Sequence, residues 1–159
     1  MSQKVVDFSQ IDTDVLTRLQ SQYDVVVINP KDGDVNQQIR EQVVDADALI
    51  GAGRLLNESN LAPAKQLKII STVSVGYDNY DLNYLNQEKI WLANTPHVLT
   101  ETTADLAFTL LVSAARKVAS LDAWTKQGNW ERTAGVEQFG QDIFGKTIGI
   151  IGLGNIGAA

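Results

Sequence analysis

The sequence predicts an α/β protein built on a parallel sheet, and two observations support this prediction. Five short apolar runs alternate with helical patterns over the first 95 residues. The runs are apolar almost throughout, as expected of strands that are covered on both faces. Such alternation is typical of a parallel sheet with crossover helices, here of the flavodoxin-like type. We therefore expect ligands to bind beyond the carboxyl ends of the strands.

Each predicted element has its own signal. The strands are β-branched or apolar runs bounded by turn residues, and they cover residues 5–8, 24–28, 48–51, 67–72 and 90–93. Apolar residues at helical spacing predict helices over residues 12–19, 35–44 and 81–88, and a short helix or turn over 61–66. The loops after the third and fourth strands, residues 51–56 and 73–80, are therefore the candidate ligand-binding loops.

The pattern changes near Pro96, where we place a domain boundary between residues 1–96 and 97–159. A long helix is predicted from about Thr100 to about Ser120. It is apolar over more than one face, which predicts burial between other elements. Residues 128–145 are irregular and contain glycines, which predicts a surface arm.

The end of the chain carries a glycine motif. Residues 147–151 are an apolar run that predicts a strand, and Gly152, Gly154 and Gly157 follow it as G-x-G-x-x-G. In dinucleotide-binding folds these glycines provide a tight turn, a close approach to the pyrophosphate and close packing of the next helix. The pattern predicts the start of a Rossmann nucleotide-binding domain, while the glycines alone also fit a turn between buried elements.

Only two residues follow Gly157. A complete nucleotide-binding unit needs a helix body, a second strand and an acidic residue about 20 positions further on. We therefore expect the chain to be the N-terminal portion of a larger protein. The strand predicted over residues 147–151 lacks sheet partners, so we expect another copy of the chain to cover its edge.

Composition narrows the classes of partner. The net charge is −6 and the lysines and arginines do not cluster, which argues against nucleic acid and anionic membranes as partners. The absence of cysteine excludes disulfides, thiolate catalysis and cysteine-ligated metal. The N-terminus lacks the apolar segment of a signal peptide, and the most apolar stretch, residues 106–115, is too short to span a membrane. These features predict a cytoplasmic protein.

Three blocks of residues carry a family resemblance, in matching order and spacing. They are Ser74-Val75-Gly76-Tyr77-Asp78-Asn79, then Asn94-Thr95-Pro96 with Leu99-Thr100-Glu101-Thr102-Thr103-Ala104-Asp105, and then the terminal glycine motif. They resemble the D-isomer-specific 2-hydroxyacid dehydrogenases, and most of all the glyoxylate/hydroxypyruvate and 2-ketogluconate reductase branch. The resemblance implies that residues 1–96 are a substrate domain. It also implies that residues 97–159 are a linking helix, an arm and the first strand of a nucleotide domain.

The resemblance implies a substrate site at Val75 and Gly76, whose backbone amides would bind the carboxylate of a small 2-keto acid. The residue types agree, because glycine permits a conformation that aims successive amides at one anion. Arg54 in the neighbouring loop could add a charge-assisted contact, although an arginine judged alone is more often a solvated surface residue.

The resemblance also implies NAD or NADP as cofactor, and the sequence does not discriminate between them. Thr103 would approach the nicotinamide side. The amides of Asn155 and Ile156 would join the three glycines of the motif at the pyrophosphate. Many relatives carry an arginine at the position of Asn155.

We assign no catalytic residue in this chain. The family reduces its substrate with an arginine and a histidine–glutamate pair, all located after the glycine motif in relatives. His97 is the only histidine and lies before the long helix, so it is not the general acid. We expect the larger protein to be an NAD(P)-dependent oxidoreductase of small 2-keto or 2-hydroxy acids, of the glyoxylate, hydroxypyruvate or 2-ketogluconate reductase type. This chain by itself is expected to be inactive.

The expected assembly is a homodimer or another homo-oligomer. Two alternatives to the enzyme stay open. One is a non-catalytic binding or regulatory module on the same fold, and the other is an inactive truncated remnant. Downstream Arg, Glu and His residues would distinguish the enzyme from a binding module.

Overall fold

The computed structural model describes residues 2–159, and the chain divides into two compact units between Val98 and Leu99. The first unit holds a five-stranded sheet in which all neighbouring strands run parallel. The strands are β1 (Lys4–Asp7), β2 (Asp24–Val27), β3 (Ala48–Gly51), β4 (Ile69–Thr72) and β5 (Trp91–Ala93). Their spatial order is β2-β1-β3-β4-β5, the flavodoxin-like order that the sequence predicts.

The helices of the first unit begin where the sequence supplies a capping side chain. They are α1 (Thr13–Gln20), α2 (Val35–Gln42), α3 (Glu58–Leu61) and α4 (Leu82–Gln87). The carboxylates of Asp12, Asp34 and Asp81 accept hydrogen bonds from amides of the first turns of α1, α2 and α4. Each bond satisfies a donor that the helix itself leaves unpaired. Residues 61–66, predicted as a short helix or turn, are mainly turn, because α3 begins after its N-cap Asn57 and ends at Leu61.

The core lies on one face of the sheet. Val6, Leu49 and Ile70, from the three central strands, are fully buried there. They pack with residues of α2, α3 and α4, among them Ile39, Leu61 and Leu85. Successive side chains of a strand point to opposite faces, which explains why these residues share one layer.

The opposite face departs from the prediction that both faces are covered. Val27 and Ile69 keep 36% and 38% of their surface exposed, and Trp91 on the edge strand keeps 77%. The side chains of β1, β3 and β4 on this face line a cavity of about 300 Å³ together with Leu19 and Tyr23. An apolar run along the sequence therefore indicates a strand without showing how much of each face is covered.

The second unit contains α5 (Thr100–Ala115), α6 (Val118–Lys126) and a one-turn helix, α7 (Asn155–Ala158). The prediction of a single helix from Thr100 to Ser120 is wrong. Helix α5 ends at Ala115, and Lys117 has a left-handed φ of +57°. The carbonyl of Ala115 accepts a hydrogen bond from the amide of Gln141 at 2.7 Å. The arm therefore pairs with the helix end and replaces the next helical turn.

The prediction that this long helix is buried is also wrong for the described residues. No residue of α5 is buried, and Leu106, Phe108 and Leu110 each keep more than half of their surface exposed. The predicted arm is irregular apart from a 3-10 turn at Val136–Gln138, and Trp130 and Phe139 on it are exposed, as expected of a surface arm.

The strand predicted over residues 147–151 is absent from the described structure. The segment pairs with no other strand, and Ile148, Ile150 and Ile151 are exposed. A strand is stabilised by hydrogen bonds to a neighbour, and no residue from 2 to 159 supplies one here. The apolar composition of the segment is therefore not sufficient to make it a strand.

Candidate functional site

The loops after β3 and β4 lie side by side at the carboxyl edge of the sheet. They leave the sheet together, because the amide of Val73 donates to the carbonyl of Gly51 at 3.0 Å. They also end together, where Leu56 pairs with Tyr80 in an isolated parallel bridge. The two predicted ligand-binding loops, residues 51–56 and 73–80, are therefore held against each other at both ends.

Three successive carbonyls of the second loop are each held by a donor. The carbonyl of Ser74 accepts from the amide of Thr95 at 3.0 Å, and that of Val75 accepts from the side-chain amide of Asn94 at 2.8 Å. The carbonyl of Gly76 accepts from the hydroxyl of Ser74 at 2.6 Å. The backbone of the loop is therefore fixed on its carbonyl side.

The amides of the same loop have no acceptor. Within residues 2–159, the backbone N–H groups of Val75, Gly76 and Tyr77 donate no hydrogen bond. All three residues are exposed. Consecutive unpaired amides are donors that suit an anion such as a carboxylate.

The feature of Gly76 that matters in this loop is its lack of a side chain. Its φ lies outside the left-handed region, so the special backbone conformation expected of it is not present. A Cβ built on Gly76 would meet only a carboxylate oxygen of Asp78, at an ordinary 3.7 Å. The space that a side chain would fill at Gly76 is therefore open, and a ligand can approach this part of the backbone closely.

Arg54 lies in the first loop, one residue after Gly53, which has a φ of +73°. The side chain is half-buried. Within the described residues its guanidinium forms no ion pair and no hydrogen bond. Its charge is therefore not neutralised by a carboxylate of this chain.

Two buried hydroxyls lie beneath the second loop. Thr72, at the end of β4, is 1% exposed, and its hydroxyl is 2.7 Å from that of Ser74. Because Ser74 uses its single proton on the carbonyl of Gly76, Thr72 is the donor of this pair. The phenol oxygen of Tyr80 is buried without a hydrogen-bond partner in the described residues, and this burial raises the pKa of Tyr80.

The residue pattern alone predicts no role for Asn94, Ser74, Thr72 or Tyr80. Position offers a signal for two of them, since Thr72 ends β4 and Asn94 directly follows β5. The strand boundaries alone do not show that the Asn94 side chain donates a hydrogen bond to the carbonyl of Val75, because these two residues are 19 positions apart in the sequence.

The glycine motif forms a close turn in the second unit. Gly152 has a φ of +90°, and a Cβ on Gly157 would stand only 2.2 Å from the carbonyl oxygen of Gly152. Gly154 precedes α7, and a Cβ there would meet nothing within 4 Å. The first and third glycines are therefore required by the backbone, and the second leaves open space in front of it.

The other predicted residues have these positions. Thr103 is exposed in the first turn of α5, where its amide donates to the carbonyl of Leu99 at 3.0 Å. Asn155 and Ile156 begin α7. His97 is exposed, with a left-handed φ of +65°.

Two further findings concern metals and membranes. No cluster of three or more His, Cys, Asp or Glu residues that could hold a metal ion occurs in the part of the chain that the structure describes. None of the helices within residues 2–159 is long and apolar enough to cross a membrane.

A five-stranded parallel sheet of this order, with helices between its strands, defines the class of flavodoxin-like α/β domains. Residues 5–149 match the D-isomer specific 2-hydroxyacid dehydrogenase, catalytic domain, family. The chain belongs to that family.

Similar proteins agree with this assignment. Glyoxylate/hydroxypyruvate reductase B from Serratia proteamaculans (strain 568) is 36% identical over all of this chain and 49% of its own length. A protein from Thermus thermophilus is 31% identical with a TM-score of 0.84, over 98% of this chain and 50% of that one. The NADPH-dependent glyoxylate/hydroxypyruvate reductase of Sinorhizobium meliloti was solved with NADP and malonate. It is 28% identical with a TM-score of 0.79, and the match covers 99% of this chain and 48% of that one. The chain thus spans about half the length of the relatives that it matches.

Proposed function

We propose that this chain binds the carboxylate of a small 2-keto or 2-hydroxy acid at the amides of Val75, Gly76 and Tyr77. The observation that carries the proposal is the row of three exposed amides that lack acceptors within the described chain. An unpaired amide gains most from a charged acceptor, because hydrogen bonds to ionised groups are about twice as strong as neutral ones.

Arg54 supplies the matching positive charge in this proposal. Its loop runs beside the amide loop between the Gly51–Val73 and Leu56–Tyr80 contacts. A guanidinium that has no carboxylate partner in the described chain is available for a ligand carboxylate, to which it can donate two parallel hydrogen bonds.

The second unit carries the proposed cofactor site. The turn at Gly152, Gly154 and Gly157 suits the pyrophosphate of NAD or NADP, since Gly154 leaves open space for a close approach. Asn155 and Ile156 would offer backbone amides to the same group, and Thr103 would lie toward the nicotinamide. When bound, the dinucleotide supplies the hydride in such reductases. The assignment of residues 1–96 to the substrate and of residues 97–159 to the nucleotide domain is part of this proposal.

The activity that we propose for the whole protein is NAD(P)-dependent reduction of a 2-keto acid, of the glyoxylate/hydroxypyruvate reductase type. The support is the family membership and the 36% identity to the Serratia reductase over half of its length. The malonate in the Sinorhizobium structure belongs to that protein and supplies a suitable dicarboxylate probe. The cytoplasm is the compartment that we propose.

The test is a titration of the 159-residue chain with malonate, followed by amide NMR. We expect the resonances of Val75, Gly76 and Tyr77 to shift on binding. Arg54→Gln should weaken malonate binding by about tenfold, the equivalent of one charge-assisted hydrogen bond. Arg18→Gln is the matched control, because Arg18 is also an arginine of the first unit but lies on α1.

Malonamide, which has the shape of malonate without its charges, should not bind. Equal shifts with malonate and malonamide, or no shift at residues 75–77 with malonate, would refute the carboxylate site. Loss of binding in Arg18→Gln would show a general effect of net charge instead of a contact by Arg54.

A further inference from the structure

We propose that Asn94 is a positioning residue, which turns the amides of Val75 and Gly76 toward the loop that carries Arg54. The identity of the ligand in this inference, a small carboxylate, rests on the proposed function. The orientation itself is a property of the chain without ligand and can be measured separately.

The direction of each amide follows from the geometry of the peptide unit. In a planar trans peptide the carbonyl and the next N–H point in opposite directions. No peptide bond in the described residues is cis. The carbonyls of Ser74 and Val75 are bound by Thr95 and by Asn94, at 3.0 and 2.8 Å. The amides that follow them, those of Val75 and Gly76, therefore point away from residues 94–95.

The side opposite residues 94–95 is the side of β3. In the sheet, β4 lies between β3 and β5, and residues 94–95 directly follow β5. Residues 51–56 follow β3 on the other side. Two amides turned away from the β5 side therefore face the loop of Arg54. The same ligand carboxylate can then accept hydrogen bonds from the backbone and from the guanidinium.

This arrangement departs from a regular strand, in which successive carbonyls point to opposite sides. Here two successive carbonyls, those of Ser74 and Val75, are held on one side. The contact at Ser74 comes from the backbone of Thr95, which most residues at that position could provide. The contact at Val75 needs a side-chain donor, and Asn94 supplies it.

This contact is a side-chain hydrogen bond that ties the Val75–Gly76 peptide to the neighbouring segment after β5. Without it the peptide between Val75 and Gly76 is free to rotate, and the Gly76 amide loses its direction. Binding would then have to order the peptide, which lowers the affinity. The role of Asn94 is therefore to pre-organise a site that its own side chain does not enter.

The test compares Asn94→Ala and Asn94→Leu with the wild-type chain. Leucine has a similar size but no donor, so a role in packing survives in Asn94→Leu and the role as donor does not. Asn129→Ala is the matched control, since it removes the same type of bond, from an asparagine amide to the Trp124 carbonyl, in the second unit. Two quantities are measured, namely the backbone order parameter of the Gly76 amide without ligand and the dissociation constant for malonate.

We expect both Asn94 variants to lower the order parameter at Gly76 and to weaken malonate binding about fivefold, the loss of roughly one net hydrogen bond. Asn129→Ala should change neither quantity. Wild-type order and affinity in both Asn94 variants would overturn the inference, and so would wild-type behaviour of Asn94→Leu alone. If Gly76 loses order in the Asn94 variants while the wild-type chain binds no malonate, the positioning by Asn94 holds and the proposed function fails.

Discussion

The ring of Phe8 lies against Gly51 so closely that a Cβ on this glycine would stand 2.8 Å from two ring carbons. Phe8 directly follows β1 and Gly51 ends β3, so the contact joins two neighbouring strands at the carboxyl edge of the sheet. Gly51 also has a φ of +153°, which side chains rarely adopt. The edge that carries the two loops is therefore closely packed directly behind them.

The variants Gly51→Ala and Gly76→Ala should show that the first glycine is needed for stability and the second for ligand binding. Gly51→Ala should lower the free energy of unfolding by about 1–3 kcal/mol, because the added methyl overpacks against Phe8. Gly76→Ala should leave the stability unchanged or raise it by up to about 1 kcal/mol, since its φ and its surroundings accept a Cβ. Urea unfolding of both variants measures the difference. A larger loss of stability in Gly76→Ala than in Gly51→Ala would contradict the role assigned to Gly76.

The same Gly76→Ala variant should weaken malonate binding. Its methyl group would occupy the open space at Gly76, and in the proposed site this hinders the close approach of a carboxylate to the backbone. The expected change is at least about tenfold in the dissociation constant, the equivalent of one charge-assisted hydrogen bond. Calorimetric titration of a folded Gly76→Ala chain gives the value. Wild-type affinity would mean that malonate binds elsewhere.

Tyr80 should make the folded chain less stable in alkaline solution. Burial raises the pKa of its phenol above the usual value of about 10, and the folded state therefore holds this proton more tightly than the unfolded chain. The stabilisation is complete below about pH 10 and is lost as the pH rises through the folded-state value. Tyr80→Phe removes this part of the pH dependence, and at about pH 7 it should be neutral or stabilising by about 1 kcal/mol, because the phenol oxygen has no partner in the described chain.

Urea unfolding between about pH 7 and pH 11 measures the effect, with Tyr77→Phe as the control. Tyr77, which is 47% exposed, is the matched site for this tyrosine-to-phenylalanine control. Burial, Glu88 and Glu58 raise the pKa of Tyr84. Tyr84 therefore contributes to the loss of stability at alkaline pH in every variant. An unchanged slope in Tyr80→Phe would refute the assignment.

The second unit should associate with another copy of the chain. Its apolar side chains are exposed to an unusual degree, with Phe144 at 89% and Leu153 at 74%, and contiguous exposed apolar surface marks association sites. Light scattering should give a mass near twice 17.3 kDa at micromolar concentration. Ile151→Lys should shift the chain toward the monomer, and Val15→Lys on α1 should not. A monomeric wild-type chain would contradict this proposal.

The 159-residue chain alone should not reduce glyoxylate with NADH or NADPH. The family resemblance implies that the arginine and the histidine–glutamate pair lie after the glycine motif. A spectrophotometric assay of cofactor oxidation tests this expectation, and wild-type malonate binding by the same sample shows that the first unit is folded. Cofactor-dependent turnover by the purified chain would refute it.

The sequence alone determined the five strands of the first unit, because β-branched and apolar runs bounded by turn residues act over a few neighbouring residues. The alternation of these runs with helical patterns predicted that the strands are parallel. The sequence also determined the turn at Gly152 and Gly157, where local sterics require glycine. Only the tertiary structure decided that residues 147–151 form no strand, since a strand depends on a partner that local sequence does not contain. It likewise decided that the helix ends at Ala115, where Gln141 from a distant position takes the carbonyl. The direction of the Gly76 amide is of the same kind, because it depends on Asn94, whose contact with Val75 forms only when β4 and β5 are paired in the sheet.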